Sequence, residues 1–299
     1  MSDSASFVRS IKTRDVPERR YAEQLIKTHH RHTSSRPAKP GQSLIRVVCI
    51  SDTHNTHPAV PDGDILIHAG DLTENGSFEE KYKIFIAGNH DVLFDDVFLQ
   101  KYPERRYGQT KTKDDLIWGD IIYLQDESVT LEFPSPERND DGTGTAEQSS
   151  RSITILYHPN NFEHWETILG SLSKQPDVIV THGPPRHHLD KRDFHRAGCP
   201  HLAREIRRIR PRLCVFGHIH AAYGREHVLF DAAQAEYEEI LTGWAGWVGV
   251  LRLGLAVLWS RVAYFLNPPR STQFTTLVNA AVVGGLKNTL QNEPIVVEL

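Results

Sequence analysis

Asp52 and His54 stand two residues apart in ISDTHN, directly after the apolar run Val47-Val48-Cys49-Ile50. On an extended chain that spacing points both side chains the same way. A carboxylate beside an imidazole at a strand end is either one arm of a metal site or an ordinary turn with a helix cap. Further along, Asp71 follows Gly70, Asn89 and His90 follow Gly88, and His182 follows Thr181 in THGPP. His218 and His220 repeat the two-residue spacing in GHIH. Taken singly, each has an everyday reading: Gly-Asp makes a turn, Asn-His punctuates a loop, and His182 is a satisfied core histidine. Their joint occurrence argues for chemistry. Asp52, His54, Asp71, Asn89, His90, His182, His218 and His220 offer oxygen and nitrogen donors, and seven of them suffice for two ions when one carboxylate bridges them. Two ions about 3.5–4 Å apart can clamp the attacking and leaving oxygens of a phosphate ester. A His/Asp/Asn set suits Mn, Fe or Zn better than a site built only of oxygens.

The elements that must position these residues recur in a simple pattern. IRVVCI runs into SDTHN, ILIHA into GDL, IFIA into GNHD, VIV into THGPP, and LCVF into GHIH. Short runs rich in Val and Ile read as buried strands. HLAREIRRIR (201–210) has helical spacing, with Leu202, Ile206 and Ile209 on one face. Alternating strands and helices argue for an α/β architecture, in which ligands bind beyond the carboxyl ends of the strands. All five polar clusters fall there. IIYLQDESVTLEF and RSITILYH read as antiparallel β segments joined by a flexible loop over 134–150, and TTLVNAAVV (275–283) with PIVVEL (294–299) as a final strand pair.

Residues 1–43 are polar and lack a sustained period; they read as a flexible leader whose THHRH cluster (His29, His30, His32) is a solvated basic patch. The domain proper is expected over 44–299. Within it, 240–266 reads as an apolar helical insertion interrupted by Arg252 and Arg261. Its stripe of Trp244, Trp247, Leu251, Leu255, Leu258, Val262 and Phe265 suits docking on the domain or a protein partner, or a peripheral membrane contact. Net charge is −4 and no basic, aromatic-interleaved groove is evident, so specific nucleic-acid binding is not expected. Three cysteines, two of them in strand-like runs, and an N-terminus without an apolar stretch point to a reducing, cytoplasmic setting.

Asp-x-His, Gly-Asp, Gly-Asn-His-Asp, Thr-His-Gly-Pro-Pro and Gly-His-x-His, in this order, resemble the calcineurin-like metallophosphoesterase superfamily. The wording of SDTHN, PDGDILIHAGDLTENG, IAGNHD, THGPP and FGHIHAAYG is similar to its brain-type metallophosphodiesterase branch. The resemblance implies a four-layer α-β-β-α sandwich with two mixed β-sheets and a dinuclear site at the sheet edge. It implies Asp52, His54 and His220 on one ion, Asn89, His182 and His218 on the other, and Asp71 bridging. A metal-bridging hydroxide would attack phosphorus, with His90 stabilising charge or protonating the departing oxygen. Asp91 is expected to support the site from a turn rather than to ligate. His187 and His188 either line the pocket or lie exposed. The substrate implied is a small phosphoester, with a cyclic nucleotide among the options. A serine/threonine protein phosphatase is not expected, because GDLTENG lacks the downstream Asp and Arg-Gly of that group. The alternative is a catalytically weakened or inactive binding or scaffold protein on the same fold, suggested by the short 72–82 crossover to Asn89 and His90.

Overall fold

The computed structural model describes residues 16–33, 44–72, 83–106, 118–134, 150–157, 175–192, 195–266, 273–285 and 287–299. The strands are β1 (Arg46–Ile50), β2 (Ile65–His68), β3 (Lys83–Phe85), β4 (Ile121–Tyr123), β5 (Ser128–Pro134), β6 (Ser150–Tyr157) and β7 (Val178–Val180). They continue with β8 (Lys191–Arg192), β9 (His195–Arg196), β10 (Leu213–Phe216), β11 (Gly224–Val228) and β12 (Thr275–Asn279), then β13 (Val283–Gly284), β14 (Thr289–Leu290) and β15 (Ile295–Glu298). The described helices are α1 (Pro17–Thr33), α2 (Asp96–Lys101), α3 (Pro200–Ile209), α4 (Ala232–Thr242) and α5 (Gly246–Leu266).

Two mixed sheets face each other. The first has the order β15-β1-β2-β3-β4, and the second β11-β12-β10-β7-β6-β5. In the first sheet only β15 runs antiparallel; in the second, β11 and β5 do. Strand alternation explains the layering. Val47, Cys49, Ile65, Ile67 and Ile84 meet Ile153, Ile155, Val178, Val180, Leu213 and Val215 between the sheets. The alternate residues Leu156, Ile179, Cys214, Phe216 and Leu277 face outward under Leu202, Ile206 and Ile209 of α3. That helix begins at Cys199, whose sulfur accepts from the Leu202 amide, and stops at left-handed Arg210. On the outer face of the first sheet, Val48, Ile50 and Leu66 are covered by Val60, Val282 and Val283.

Four expectations need correction. Residues 275–283 and 294–299 are not a strand pair: β12 pairs with β10 and β11, while β15 pairs with β1. Between them the chain crosses from one sheet to the other past an isolated Ser51–Ala281 bridge. IIYLQDESVTLEF is likewise two strands, broken at left-handed Asp126, with β4 in the first sheet and β5 in the second. Residues 17–33 form a helix rather than a flexible leader; Ala22 and Ile26, four apart, give it a narrow apolar stripe that packs on α4 and α5. His29 extends that stripe, buried with its Nε2 2.6 Å from Asp231 Oδ2, so it is no solvated patch. Finally, the 240–266 segment is two helices. α4 ends at left-handed Gly243, and α5 restarts at Gly246. The 135–149 part of the expected flexible loop and residues 73–82 of the short crossover lie outside the described residues.

Candidate metal centre

Parallel pairing aligns the strand ends. Ile50 of β1 lies opposite His68 of β2, and His68 opposite Phe85 of β3. The loops after these strands are laced together by their backbones: Asp52 N–H donates to Gly70 O at 2.9 Å, and His54 N–H to Asp71 O at 3.2 Å. The second sheet joins through His182, whose Nδ1 is 2.9 Å from Ala69 O, and through the His218 amide, which donates to Asp52 Oδ2 at 2.9 Å. The site therefore sits where the carboxyl ends of both sheets meet.

Asp52 and His54 do converge, but not as neighbours on an extended strand. β1 stops at Ile50, and both residues have left-handed backbones, with φ of 53° and 42°. Asp71 (φ 54°) and His218 (φ 67°) share this conformation. Asp and His tolerate it better than most residues, and such strain clusters where function needs a set geometry.

Three sets of donor atoms each lie within 4.8 Å of one another: Asp52, His54 and His220; Asp71, His182 and His218; and His54, Asp71 and His90. His220 Nε2 is 3.1 Å from Asp52 Oδ1. Asp71 Oδ2 stands 3.3 Å from His182 Nε2, 3.8 Å from His54 Nε2 and 4.0 Å from His90 Nε2. Asn89 Oδ1 lies 3.0 Å from His182 Nε2. The described structure thus brings all eight residues into one site. β3 runs parallel beside β2, and the chain after it carries Asn89 and His90 round to the site in spite of the short link.

These contacts fit divalent ions. With His182 Nδ1–H donating to Ala69 O, a neutral ring turns its Nε2 lone pair towards two oxygens, Asp71 Oδ2 and Asn89 Oδ1. Either a proton on Nε2 or a cation between them resolves that meeting of acceptors. His54 Nε2 is buried and has no hydrogen-bond partner among the described residues. Charge is distributed to match. Burial opposes ionisation of Asp71, but the hydrogen bond and charge of His182, together with the amide and ring of His90, outweigh it and bring the carboxyl down to about 2. For Asp52, burial is likewise overcome, chiefly by His220, and its pKa is lowered. Burial lowers His54 and His218, keeping their lone pairs available. His182 moves the other way: burial works against its charge, yet Asp71 raises it to about 9, so without an ion it holds a proton that a metal would displace.

Asp91 supports the site from its turn, as expected, beside residues that carried no clear signal in the sequence. Asp91 accepts from the amides of Asp71 (2.7 Å), Gly88 (2.8 Å) and Leu72 (3.0 Å), tying the loops after β2 and β3 together. The Ser51 hydroxyl lies 2.7 Å from Asp52 Oδ2. Gly88 and Gly217 leave room for carboxylates: a Cβ on Gly88 would collide with Asp71, and one on Gly217 with Asp52 and Ser51. The available clue was that Gly70, Gly88 and Gly217 each immediately precede a donor residue. His188 neither lines the site nor lies exposed; it is buried between Glu226 and Glu238, 3.3 Å from each. His187 is partly buried with φ 77°.

The sandwich and its His/Asp clusters define a metallophosphoesterase. The profile of the family described as "Calcineurin-like phosphoesterase" matches residues 45–222, and the chain belongs to that family. It is 38% identical over 285 residues to "Probable rhamnogalacturonate lyase C" of Emericella nidulans, an alignment covering 87% of this chain and 25% of that protein. It is 34% identical to a UPF0046 protein of Caenorhabditis elegans, over 63% of this chain and 68% of that one. It is 36% identical to the human "Metallophosphoesterase domain-containing protein 1", over 63% of this chain and 64% of the relative. The chain thus spans a quarter of the length of the first of these relatives and about two thirds of the other two.

Proposed function

We propose that this protein is a phosphodiesterase with a dinuclear centre, in which Asp52, His54 and His220 hold one divalent ion and Asn89, His182 and His218 the other. One observation carries the reading: Asp71 belongs to two donor clusters at once, so a single carboxylate joins the halves of the site. Ions of the Mn, Fe or Zn type held there would supply Lewis acidity and acidify a water. The chain does the rest. Asp52 and Asp71 remain ionised, and Asp91, Ser51 and the Gly88 and Gly217 approaches fix their positions. His90 is anchored by its amide, which donates to Asp71 Oδ1 at 2.7 Å, while its ring is 65% exposed. An accessible imidazole at the rim can donate a hydrogen bond or proton to a departing oxygen.

A small phosphodiester, with cyclic nucleotides among the candidates, is the substrate class supported by the wording of the five motifs. The missing Asp and Arg-Gly after GDLTENG count against phosphoproteins. Three free cysteines, two of them buried, support a cytoplasmic setting as part of this reading. The test is turnover of bis-p-nitrophenyl phosphate with added Mn, beside the corresponding monoester, by wild type, Asp71→Ala and His90→Ala. The expected result is diester turnover by wild type, its loss in Asp71→Ala, and slow turnover with retained metal in His90→Ala. If all three bind metal and are equally inert, the enzyme reading fails; a preference for the monoester would overturn the diesterase assignment.

A further inference from the structure

α5 has two apolar faces, and only one is used. Gly249, Leu253 and Val257 are buried against Ile240 of α4 and the Ala22–Ile26 stripe of α1. On the opposite side, Trp247, Val248, Leu251, Leu255, Leu258, Trp259, Val262, Phe265 and Leu266 are exposed, as is Trp244 just before the helix. Trp244 is 92% exposed and Phe265 86%. Soluble monomers rarely leave so large a continuous apolar face in water. Among the described residues α5 is also the one helix long and apolar enough to cross a bilayer, at 21 residues and about 32 Å. Its buried face, however, is already committed to α1 and α4.

The side chains of the free face are graded. Leu251, Leu255, Leu258 and Val262 form its centre line, and Trp247 and Trp259 occupy opposite shoulders. Arg252 and Arg261 lie roughly 90° to either side of the centre. No acidic residue occurs anywhere in the helix. Tyr21 of α1 packs on Trp247, with ring centroids 5.6 Å apart, and widens one aromatic shoulder. Aliphatic centre, indole shoulder and cationic edge follow the order of acyl chain, headgroup boundary and phosphate at a lipid surface. A second copy of the chain fits less well. A two-fold contact would set arginine edges against each other with no carboxylate on α5 to receive them; Arg252 already pairs with Glu236 at 2.9 Å, so the lipid-facing charge rests chiefly on Arg261.

We infer that α5 docks this protein on an anionic lipid surface, lying in the plane of the interface with its Trp247–Leu255–Trp259 face inserted and its Gly249–Leu253–Val257 face still packed on the domain. The test is flotation of the full chain with vesicles of phosphatidylcholine, with and without phosphatidylserine. Wild type is expected to float, more strongly with phosphatidylserine. The double substitution Leu251→Glu/Leu255→Glu should cut binding at least about tenfold, while melting like wild type because neither side chain is in the core. Arg261→Glu, a gentler change, should reduce binding to the anionic vesicles about fivefold or more. Brominated acyl chains should quench the Trp247 and Trp259 emission of wild type, measured against Trp247→Phe and Trp259→Phe. Failure of wild type to float with either vesicle would overturn the inference, as would unchanged flotation of both charge variants. So would a solution dimer that the double variant dissolves while vesicle binding is absent. Resistance to alkaline carbonate extraction would replace the in-plane arrangement with a spanning one.

Discussion

The metal centre and the α1–α4–α5 helical layer are built on opposite plans. At the centre, residues from five chain segments converge, most of them on left-handed or tightly turned backbone, and the two carboxylates are held by several hydrogen bonds. His54 Nε2, buried and without a hydrogen-bond partner among the described residues, is where an ion is wanted. In the helical layer the backbone is regular and unstrained, and side-chain packing alone decides what faces what. The lesson is that strained backbone with hydrogen-bonded carboxylates marks a site that recognises something small, whereas relaxed backbone with unsatisfied apolar area marks a surface that recognises something large.

Substitutions should separate the two regions cleanly. The largest effect is expected at Asp71: Asp71→Ala removes the carboxylate shared by two clusters, and turnover should fall about 10³-fold or more while far-ultraviolet circular dichroism stays unchanged. Next is the buried face of α5. Leu253→Ala, at 0% exposure, should destabilise by about 2–4 kcal/mol in denaturant titration, without altering metal affinity. Gly217→Ala should strike the site instead. Its new Cβ drives into buried Asp52 and Ser51, so metal affinity is expected to drop about 10–100-fold, beside a stability loss of about 1–3 kcal/mol.

A pH effect belongs to the seam between the helical layer and the second sheet, where His188 bridges Glu238 of α4 and Glu226 of β11. His188 is buried between Glu226 and Glu238; burial opposes its charge, yet the two carboxylates outweigh it and raise its pKa from 6.5 to about 9. A folded-state pKa above the unfolded one means the stabilisation is complete below pH 6.5 and lost as pH climbs through about 9. Thermal melts should therefore decline by roughly 1–3 kcal/mol over that window, and His188→Asn should flatten the decline. The smallest effect is expected on the free face: Leu255→Glu should leave stability within about 0.5 kcal/mol of wild type.

The two regions also differed in how far the sequence revealed them. Donor residues at strand ends were readable because type and position coincide there: only a few side chains bind metals, and the apolar runs announce where strands stop. Asp52 and His54 converge on left-handed rather than extended backbone, since such a turn can bring i and i+2 together as an extended strand does. Asp91 was legible as a support of the site, though not as the acceptor of three backbone amides; Gly88 and Gly217 were harder, because a glycine that makes room looks the same in sequence as an ordinary turn residue. β5 pairs antiparallel with β6 across the 134–150 connection as expected, whereas the sheet assignments of β4, β12 and β15 differ from expectation for a different reason. Local alternation shows that a segment is a strand but not which sheet it joins, and a single left-handed Asp126 switches sheets. In α5 the periodicity was ambiguous, because a helix apolar on both sides has no preferred face. The stripe singled out from the sequence is exposed, and the one that docks contains the unremarked Gly249 and Leu253.

The account turns on Asp71 joining two ion sites. Calorimetric titration of metal-stripped protein with Mn or Zn measures this directly. Wild type is expected to take up two ions per chain, and Asp71→Ala to bind both much more weakly while folding normally. A single ion in wild type, or two ions held with undiminished affinity by Asp71→Ala, would contradict it.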